Sequence, residues 1–124
     1  MAKVLIVDDS RLSRAIVGNA LRDAGHDVLE AADGNEGLAL LAVDSFDLVV
    51  SDLLMPKCDG VSMLQQVRGS GNQVPVIICS ADIQDSSRQM CESLGISEFL
   101  GKPIRAEKLL VLVNKTLSLV EVLR

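Results

Sequence analysis

Aromatic residues are almost missing from this chain. Its 124 residues include Phe46 and Phe99 but neither tryptophan nor tyrosine, while 48% of the residues are hydrophobic. A single domain of this length has enough apolar side chains to bury a core without disulfides or structural metals. The core must therefore be aliphatic, built from leucine, valine, isoleucine and alanine.

The chain also lacks the marks of secreted, nucleic-acid-binding and membrane proteins. Its three cysteines, Cys58, Cys79 and Cys91, are odd in number and form no CxxC pair, so neither a disulfide framework nor a zinc site is indicated. A net charge of −5 argues against direct nucleic-acid binding. No apolar run approaches a membrane span, and the first, residues 4–7, is too short for a signal peptide. We expect a reduced, soluble, cytoplasmic domain.

What the chain does have is a regular alternation of short apolar runs and segments of helical periodicity. The predicted strands are Lys3–Val7, Asp27–Glu30, Phe46–Ser51, Pro75–Cys79 and Glu98–Leu100. The predicted helices are Arg11–Ala24, Asn35–Val43, a third from an Asp59 cap to about Arg68, Gln84–Leu94, and a last one from about Ala106 to the end of the chain. This pattern predicts an α/β fold, (βα)5, with a doubly wound parallel five-stranded sheet and helices on both faces.

Chemically active side chains follow the predicted strands. Asp8 and Asp9 follow the first strand, Asp52 the third, Ser80 the fourth and Lys102 the fifth. The carboxyl ends of parallel strands meet at one edge of a sheet, where such folds bind ligands. Three carboxylates there repel one another unless a cation is present, and hard oxygen ligands suit Mg²⁺ or Mn²⁺. A carboxylate beside a metal, a lysine and a hydroxyl can accept a phosphoryl group as an acyl phosphate.

Four segments carry a resemblance to a known family. They are VLIVDDS at 4–10, DLVVSDLLMPKCDG at 47–60, VIICSA at 76–81 and EFLGKPI at 98–104. In order and spacing, residues 1–124 resemble one receiver domain of bacterial two-component response regulators, similar to the chemotaxis response regulator family. The resemblance implies a flavodoxin-like strand order 2-1-3-4-5. It also implies a signalling phospho-acceptor, not an enzyme, that assists its own phosphotransfer and dephosphorylation.

The resemblance assigns roles within the acidic cluster. Asp52 would take its phosphoryl group from the phosphohistidine of a sensor histidine kinase or phosphotransfer protein. Asp9 and Asp52 would bind Mg²⁺ or Mn²⁺ by side chain, Leu54 by its backbone carbonyl, and Asp8 mainly through water. Lys102 would pair with the phosphoryl oxygens. The apolar Leu54 side chain would shield the acyl phosphate from water.

The resemblance also implies a conformational switch. Ser80 would move toward the phosphate, and Phe99 would couple that movement to the face of the fourth helix, fifth strand and fifth helix, where a downstream effector protein or domain is controlled. Ser80 and Phe99 replace the commoner threonine and tyrosine, and Asp82, two residues after Ser80, is acidic. The Lys102–Pro103 peptide would be cis, as is frequent in the family.

The last helix carries more apolar side chains than one buried face needs. One stripe is expected to pack on the sheet: Leu109, Leu110, Val113, Leu117 and Val120. A second set, with Thr116 between its members, is Leu112, Leu119 and Leu123. Since an exposed apolar face favours a partner, this helix is expected to dimerise, dock on another protein or continue into a further domain, unless it merely frays.

Other interpretations remain open at this point. Asp8 and Asp9 could be caps of the first helix, and Lys102 a solvated loop lysine. An aspartyl-phosphate phosphohydrolase uses a similar acidic pair and lysine but needs a cap insertion, and an unphosphorylated interaction module would lack part of the set. A flavin-binding domain would need a different loop after the first strand. Arg11 and Arg14 are expected to balance surface charge, and His26 to be solvated without a partner.

Overall fold

The computed structural model describes residues 2–55, 59–81 and 84–123, without the side chains of residues 120, 121 and 123. The strands are β1 Lys3–Val7, β2 Asp27–Ala31, β3 Leu48–Asp52, β4 Val76–Ser80 and β5 Glu98–Gly101. The helices are α1 Arg11–Asp23, α2 Gly34–Val43, α3 Gly60–Gly69, α4 Asp85–Ser93 and α5 Ala106–Leu123. The predictions for Cys58 and Asp82, and for the side chains of Val120 and Leu123, lie outside what is described.

All five strands are parallel, in the order β2-β1-β3-β4-β5, so the predicted fold and strand order are confirmed. Capping side chains and a glycine mark where several helices begin and end. Asp33 and Asp59 cap α2 and α3 by accepting the backbone N–H groups of Glu36 and Ser62. Gly25, just past the end of α1, adopts a φ of 92°, which a residue without a Cβ reaches at no steric cost.

Two aliphatic layers cover the sheet, because successive strand residues point to opposite faces. On one face, Leu5, Val49 and Ile78 pack against residues from α2, α3 and α4. On the other, Ile6 and Val50 join buried residues of α1 and α5. The central strands β3 and β4 are buried along their whole length. These layers fix the carboxyl ends of β1, β3 and β4 as one rigid edge.

Leu12 and Ile16 of α1 share the helical spacing of the buried Leu21, yet they are 72% and 41% exposed. The structure also corrects two predictions. Thr116 is buried on the sheet side of α5, whereas Val111, in neither predicted stripe, is 66% exposed. His26 has a partner, since its Nδ1 accepts the Ala2 backbone N–H at 3.2 Å.

None of the helices within the described ranges combines the length and the hydropathy that a membrane span requires.

Candidate functional site

Three carboxylates meet at the carboxyl edge of the sheet. Asp8 and Asp9 follow β1, and Asp52 is the last residue of the adjacent β3, which ends one residue later than predicted. One side-chain oxygen from each lies within 4.8 Å of the other two. Asp8 and Asp52 are buried, whereas Asp9 is exposed. This donor set fits a hard divalent cation, which carboxylates and water would share.

Asp52 is held in one orientation at the end of β3. It is 7% exposed, and its Oδ1 accepts the Leu53 backbone N–H at 2.8 Å. Its Oδ2 lies 3.4 Å from Nζ of Lys102. Burial raises the pKa of Asp52 and the nearby Asp8 charge adds to this, while Lys102 opposes the shift. The carboxylate therefore sits where an added cation would favour its ionised form.

Lys102 is a partly buried counter-ion of the cluster and not a solvated loop lysine. Its Nζ lies 3.0 Å from Asp8 Oδ2, and 3.4 Å from Ser13 Oγ on α1. Burial alone would lower the pKa of Lys102, but the hydrogen bond to Asp8 and the charge of Asp52 outweigh it and raise that pKa. Its backbone N–H donates to the Ser80 carbonyl at 2.8 Å, and the Lys102–Pro103 peptide is cis.

Asp8 does not cap α1. That position belongs to Ser10, whose side chain accepts the Ser13 backbone N–H at 3.2 Å. The Asp8 carboxylate instead accepts the Ser10 backbone N–H at 2.9 Å through Oδ1 and the Lys102 ammonium through Oδ2. Sequence reasoning missed Ser13, although its place one turn into the helix after β1 puts it at the same sheet edge.

The sequence matches a known family. The model of the response regulator receiver domain matches residues 4–114. The chain belongs to this family. Response regulator MprA of Mycolicibacterium vanbaalenii is 36% identical over 108 residues, which are 87% of this chain and 47% of that protein. Sensory/regulatory protein RpfC of Xanthomonas campestris is 37% identical over 112 residues, but only 15% of its length is covered. The chain thus spans half or less of these relatives.

Solved structures agree with the assignment. The chemotaxis response regulator CheY4 of Vibrio cholerae has a TM-score of 0.88 and 35% identity, over 94% of this chain and 98% of that one. A receiver domain from Francisella gives 0.89 and 30% identity, over 97% and 99%. The chain is therefore a receiver domain of two-component signalling.

The residues of the predicted switch lie on β4 and β5 of this receiver domain. Ser80 is fully buried at the end of β4, and Phe99 on β5 pairs in register with Ile78. Phe99 is half-buried, and the Arg88 guanidinium of α4 lies 5.7 Å from its ring centroid. A cation over an aromatic face is attractive. No sequence pattern predicts this contact, because it joins side chains of two separate elements, α4 and β5.

An apolar groove opens beside Lys102. It has a volume of about 420 Å³ and runs between α1 and the turn after β5. Its lining includes the exposed Leu12 and Ile16 together with Pro103 and Ile104. These two α1 side chains therefore form an exposed apolar surface beside Lys102. The side chain of Leu54, at another side of the cluster, is 60% exposed.

Proposed function

We propose that this receiver domain is a phosphorylation switch in which Asp52 accepts a phosphoryl group from a phosphohistidine. The observation that carries the proposal is the position of Lys102 between Asp8 and Asp52, at 3.0 Å and 3.4 Å, beside three clustered carboxylates. A carboxylate oxygen of Asp52 attacks phosphorus and forms a P–O bond. The P–N bond breaks, and its electron pair goes to the departing imidazole.

Each neighbour has a role in this transfer. Lys102 exchanges its Asp52 contact for the phosphoryl oxygens and neutralises their charge. The Leu53 N–H keeps the Asp52 carboxylate oriented, since it holds Oδ1 at 2.8 Å. The Ser80 hydroxyl turns to a phosphoryl oxygen. The side chains of Asp9 and Asp52, the Leu54 carbonyl and, through water, Asp8 would hold Mg²⁺ or Mn²⁺, which would supply further positive charge.

The first experiment is an intact mass measurement after incubation with Mg²⁺ and a small-molecule phosphodonor. We expect the wild type to gain one phosphoryl group, Asp52→Asn to gain none, and a chelator to abolish the gain. Modification of Asp52→Asn to the wild-type extent would place the acceptor elsewhere. No modification of a wild type that binds Mg²⁺ would favour an interaction module that is never phosphorylated.

The donor protein is proposed to dock on the groove beside Lys102. A sensor histidine kinase or phosphotransfer protein must bring its phosphohistidine to Asp52, and the exposed Leu12 and Ile16 are the apolar surface that flanks Lys102. An apolar contact there would orient the donor without touching the carboxylates.

A substitution in this groove should affect phosphorylation by a partner kinase but not phosphorylation by a small-molecule donor. Ile16→Asp should slow transfer from a partner kinase but leave modification by a small-molecule donor unchanged. Val43→Asp is the matched control, because Val43 is 82% exposed and lies at the end of α2, remote from this groove. Equal effects of both variants on kinase transfer would contradict the proposed docking site.

The output is proposed to be read on the face formed by α4, β5 and α5. Phe99 of β5 and Arg88 of α4 belong to this face. On β5 and α5 it also has an apolar groove of about 430 Å³, lined by Leu100, Val111 and Leu112 among others. Phosphorylation would shift the population toward the conformation that an effector protein, an attached domain or a second copy of this chain binds. Sedimentation of phosphorylated and unphosphorylated protein tests whether a homodimer forms. If the protein is monomeric in both states at high concentration, a homodimer is excluded.

A further inference from the structure

Arg14 on α1 connects the turn after β1, which carries Asp8 and Asp9, to the edge strand β2. One of its terminal nitrogens donates a hydrogen bond to the backbone carbonyl of Asp8. Its Nε lies 3.4 Å from Oε1 of Glu30 on β2. The Arg14 side chain is 17% exposed, so it is no freely solvated surface arginine as the sequence suggested.

Glu30 is itself fixed by a second arginine. Its Oε2 accepts a hydrogen bond from Arg22 at 2.9 Å, while Oε1 faces Arg14. Gly18 lies between these arginines on α1, and a Cβ there would come within 2.9 Å of Arg22 Nη1. The absent side chain therefore leaves room for the ion pair. Three charged side chains, Arg14, Arg22 and Glu30, thus join the first and last turns of α1 to β2.

The Arg14 contact completes the restraint of Asp8. The Asp8 backbone N–H donates to the Ala31 carbonyl at 3.1 Å. The two carboxylate oxygens accept from the Ser10 N–H at 2.9 Å and from Lys102 at 3.0 Å. The backbone carbonyl is the remaining polar group, and Arg14 binds it. Asp8 is only 3% exposed, so water has little access to replace a lost partner.

We infer that Arg14 is a positioning residue for the divalent-metal site: it fixes the turn that carries Asp8 and Asp9, and Glu30 holds its guanidinium in place. The inference rests on the metal dependence in the proposed function. Partners outside the ligand shell commonly determine metal affinity through the orientation of the ligands.

Charge and positioning predict opposite effects of removing Arg14. By charge alone, the loss of a cation near three carboxylates would strengthen Mg²⁺ binding. By positioning, a released turn would weaken it, because Asp8 and Asp9 would no longer be preorganised. The sign of the change therefore distinguishes the two roles without any measurement of phosphorylation.

The experiment is calorimetric titration of the full chain with Mg²⁺, with Arg14→Ala, Arg14→Lys and Arg11→Ala compared with the wild type. Arg14→Ala should weaken Mg²⁺ binding about tenfold. Arg14→Lys should restore part of the loss, because an ammonium can still donate to the Asp8 carbonyl. Arg11 is exposed in the same helical turn, so Arg11→Ala removes equal charge and should leave binding unchanged or slightly tighter.

If Arg14→Ala binds Mg²⁺ as tightly as the wild type or more tightly, this inference is wrong but the proposed function is not affected. A wild type that binds no Mg²⁺ would overturn the proposed metal dependence as well. Circular dichroism checks that each variant is folded. If Arg14→Ala does not fold, Glu30→Gln takes its place, because it keeps Arg14 but removes its anchor. Weaker Mg²⁺ binding by Glu30→Gln supports the inference, and unchanged binding overturns it.

Discussion

Gly60 begins α3 where this helix meets the end of the acceptor strand. Its backbone N–H donates to the Leu53 carbonyl at 2.8 Å. A Cβ at position 60 would lie 2.5 Å from the Asp52 carbonyl oxygen and 2.9 Å from the Leu53 Cα. The first distance is 0.9 Å short of the 3.4 Å at which ordinary contact begins (3.4 − 2.5). The obstructing atoms are backbone, so no side-chain rotation can relieve the clash.

We therefore expect Gly60→Ala to lower the free energy of unfolding by about 2 kcal/mol. Overpacking against fixed atoms costs up to about 3 kcal/mol, and the better helix propensity of alanine returns up to about 1 kcal/mol. Relief of the clash must also move Leu53 and its neighbour Leu54. Mg²⁺ binding should weaken with that displacement.

Gly69 is the matched control at the other end of α3. A Cβ there would meet no atom within 4 Å, so Gly69→Ala should stabilise the protein by about 0.5–1 kcal/mol. Urea unfolding followed by far-ultraviolet circular dichroism measures both variants, since the chain has no tryptophan to report by fluorescence. Gly60→Ala with wild-type stability and wild-type Mg²⁺ affinity would refute the reasoning.

Four further predictions concern the site and its surroundings. Lys102→Ala should slow modification by a small-molecule donor about a hundredfold, because the phosphoryl oxygens lose their counter-ion. It should also tighten Mg²⁺ binding measured by calorimetry, because it removes a competing cation. Weaker Mg²⁺ binding would contradict this. Asp52→Asn should stabilise the metal-free protein at pH 7, because the raised pKa of Asp52 means that its ionisation lowers the free energy of unfolding. Urea unfolding measures this gain, which should vanish below about pH 4, where the wild-type carboxyl is protonated in both the folded and the unfolded state. A gain that persists in acid would have another cause. Leu54→Asn should shorten the lifetime of the phosphorylated protein, followed by intact mass, and an unchanged hydrolysis rate would exclude the shielding role. In the native protein Cys79 and Cys91 should resist iodoacetamide in peptide mass spectra, because both are buried and burial raises the pKa of Cys79 to about 12; alkylation without unfolding would contradict this.

The strand-end rule explains why much of the site was predictable. In a parallel sheet, residues after different strands share one edge whatever their separation in sequence, so Asp8, Asp52 and Lys102 were placed together without coordinates. Strand bounds carry an uncertainty of a residue or two, and Asp52 and Ser80 end their strands instead of following them. The spacing of Lys102 from each carboxylate came only from the structure.

Hydrophobic periodicity was less informative about which apolar side chains are buried. Leu12 and Ile16 continue the helical spacing of the buried residues of α1, but they are exposed and line a groove. The same spacing occurs in buried and in exposed apolar side chains, so it cannot distinguish them. On α5, the 18-residue helix is apolar on several sides, and only packing showed that Thr116 faces the sheet and Val111 does not.

The polar contacts of Arg14 were not predictable from the sequence. Arg14 reaches Asp8 and Glu30 through a pairing of α1 with β2 whose register depends on tertiary packing. A lone arginine at the start of a helix carries no signal of such a partner, since most arginines there are solvated.

The measurement that tests the central claim most directly is location of the phosphoryl group within the acidic cluster. The phosphorylated protein is reduced with borohydride, which converts an acyl phosphate to an alcohol, and its peptides are sequenced by mass spectrometry. The account predicts reduction of Asp52 alone, with Asp8 and Asp9 intact. Reduction at Asp8 or Asp9, or at no aspartate of a protein that had gained a phosphoryl group, would contradict it.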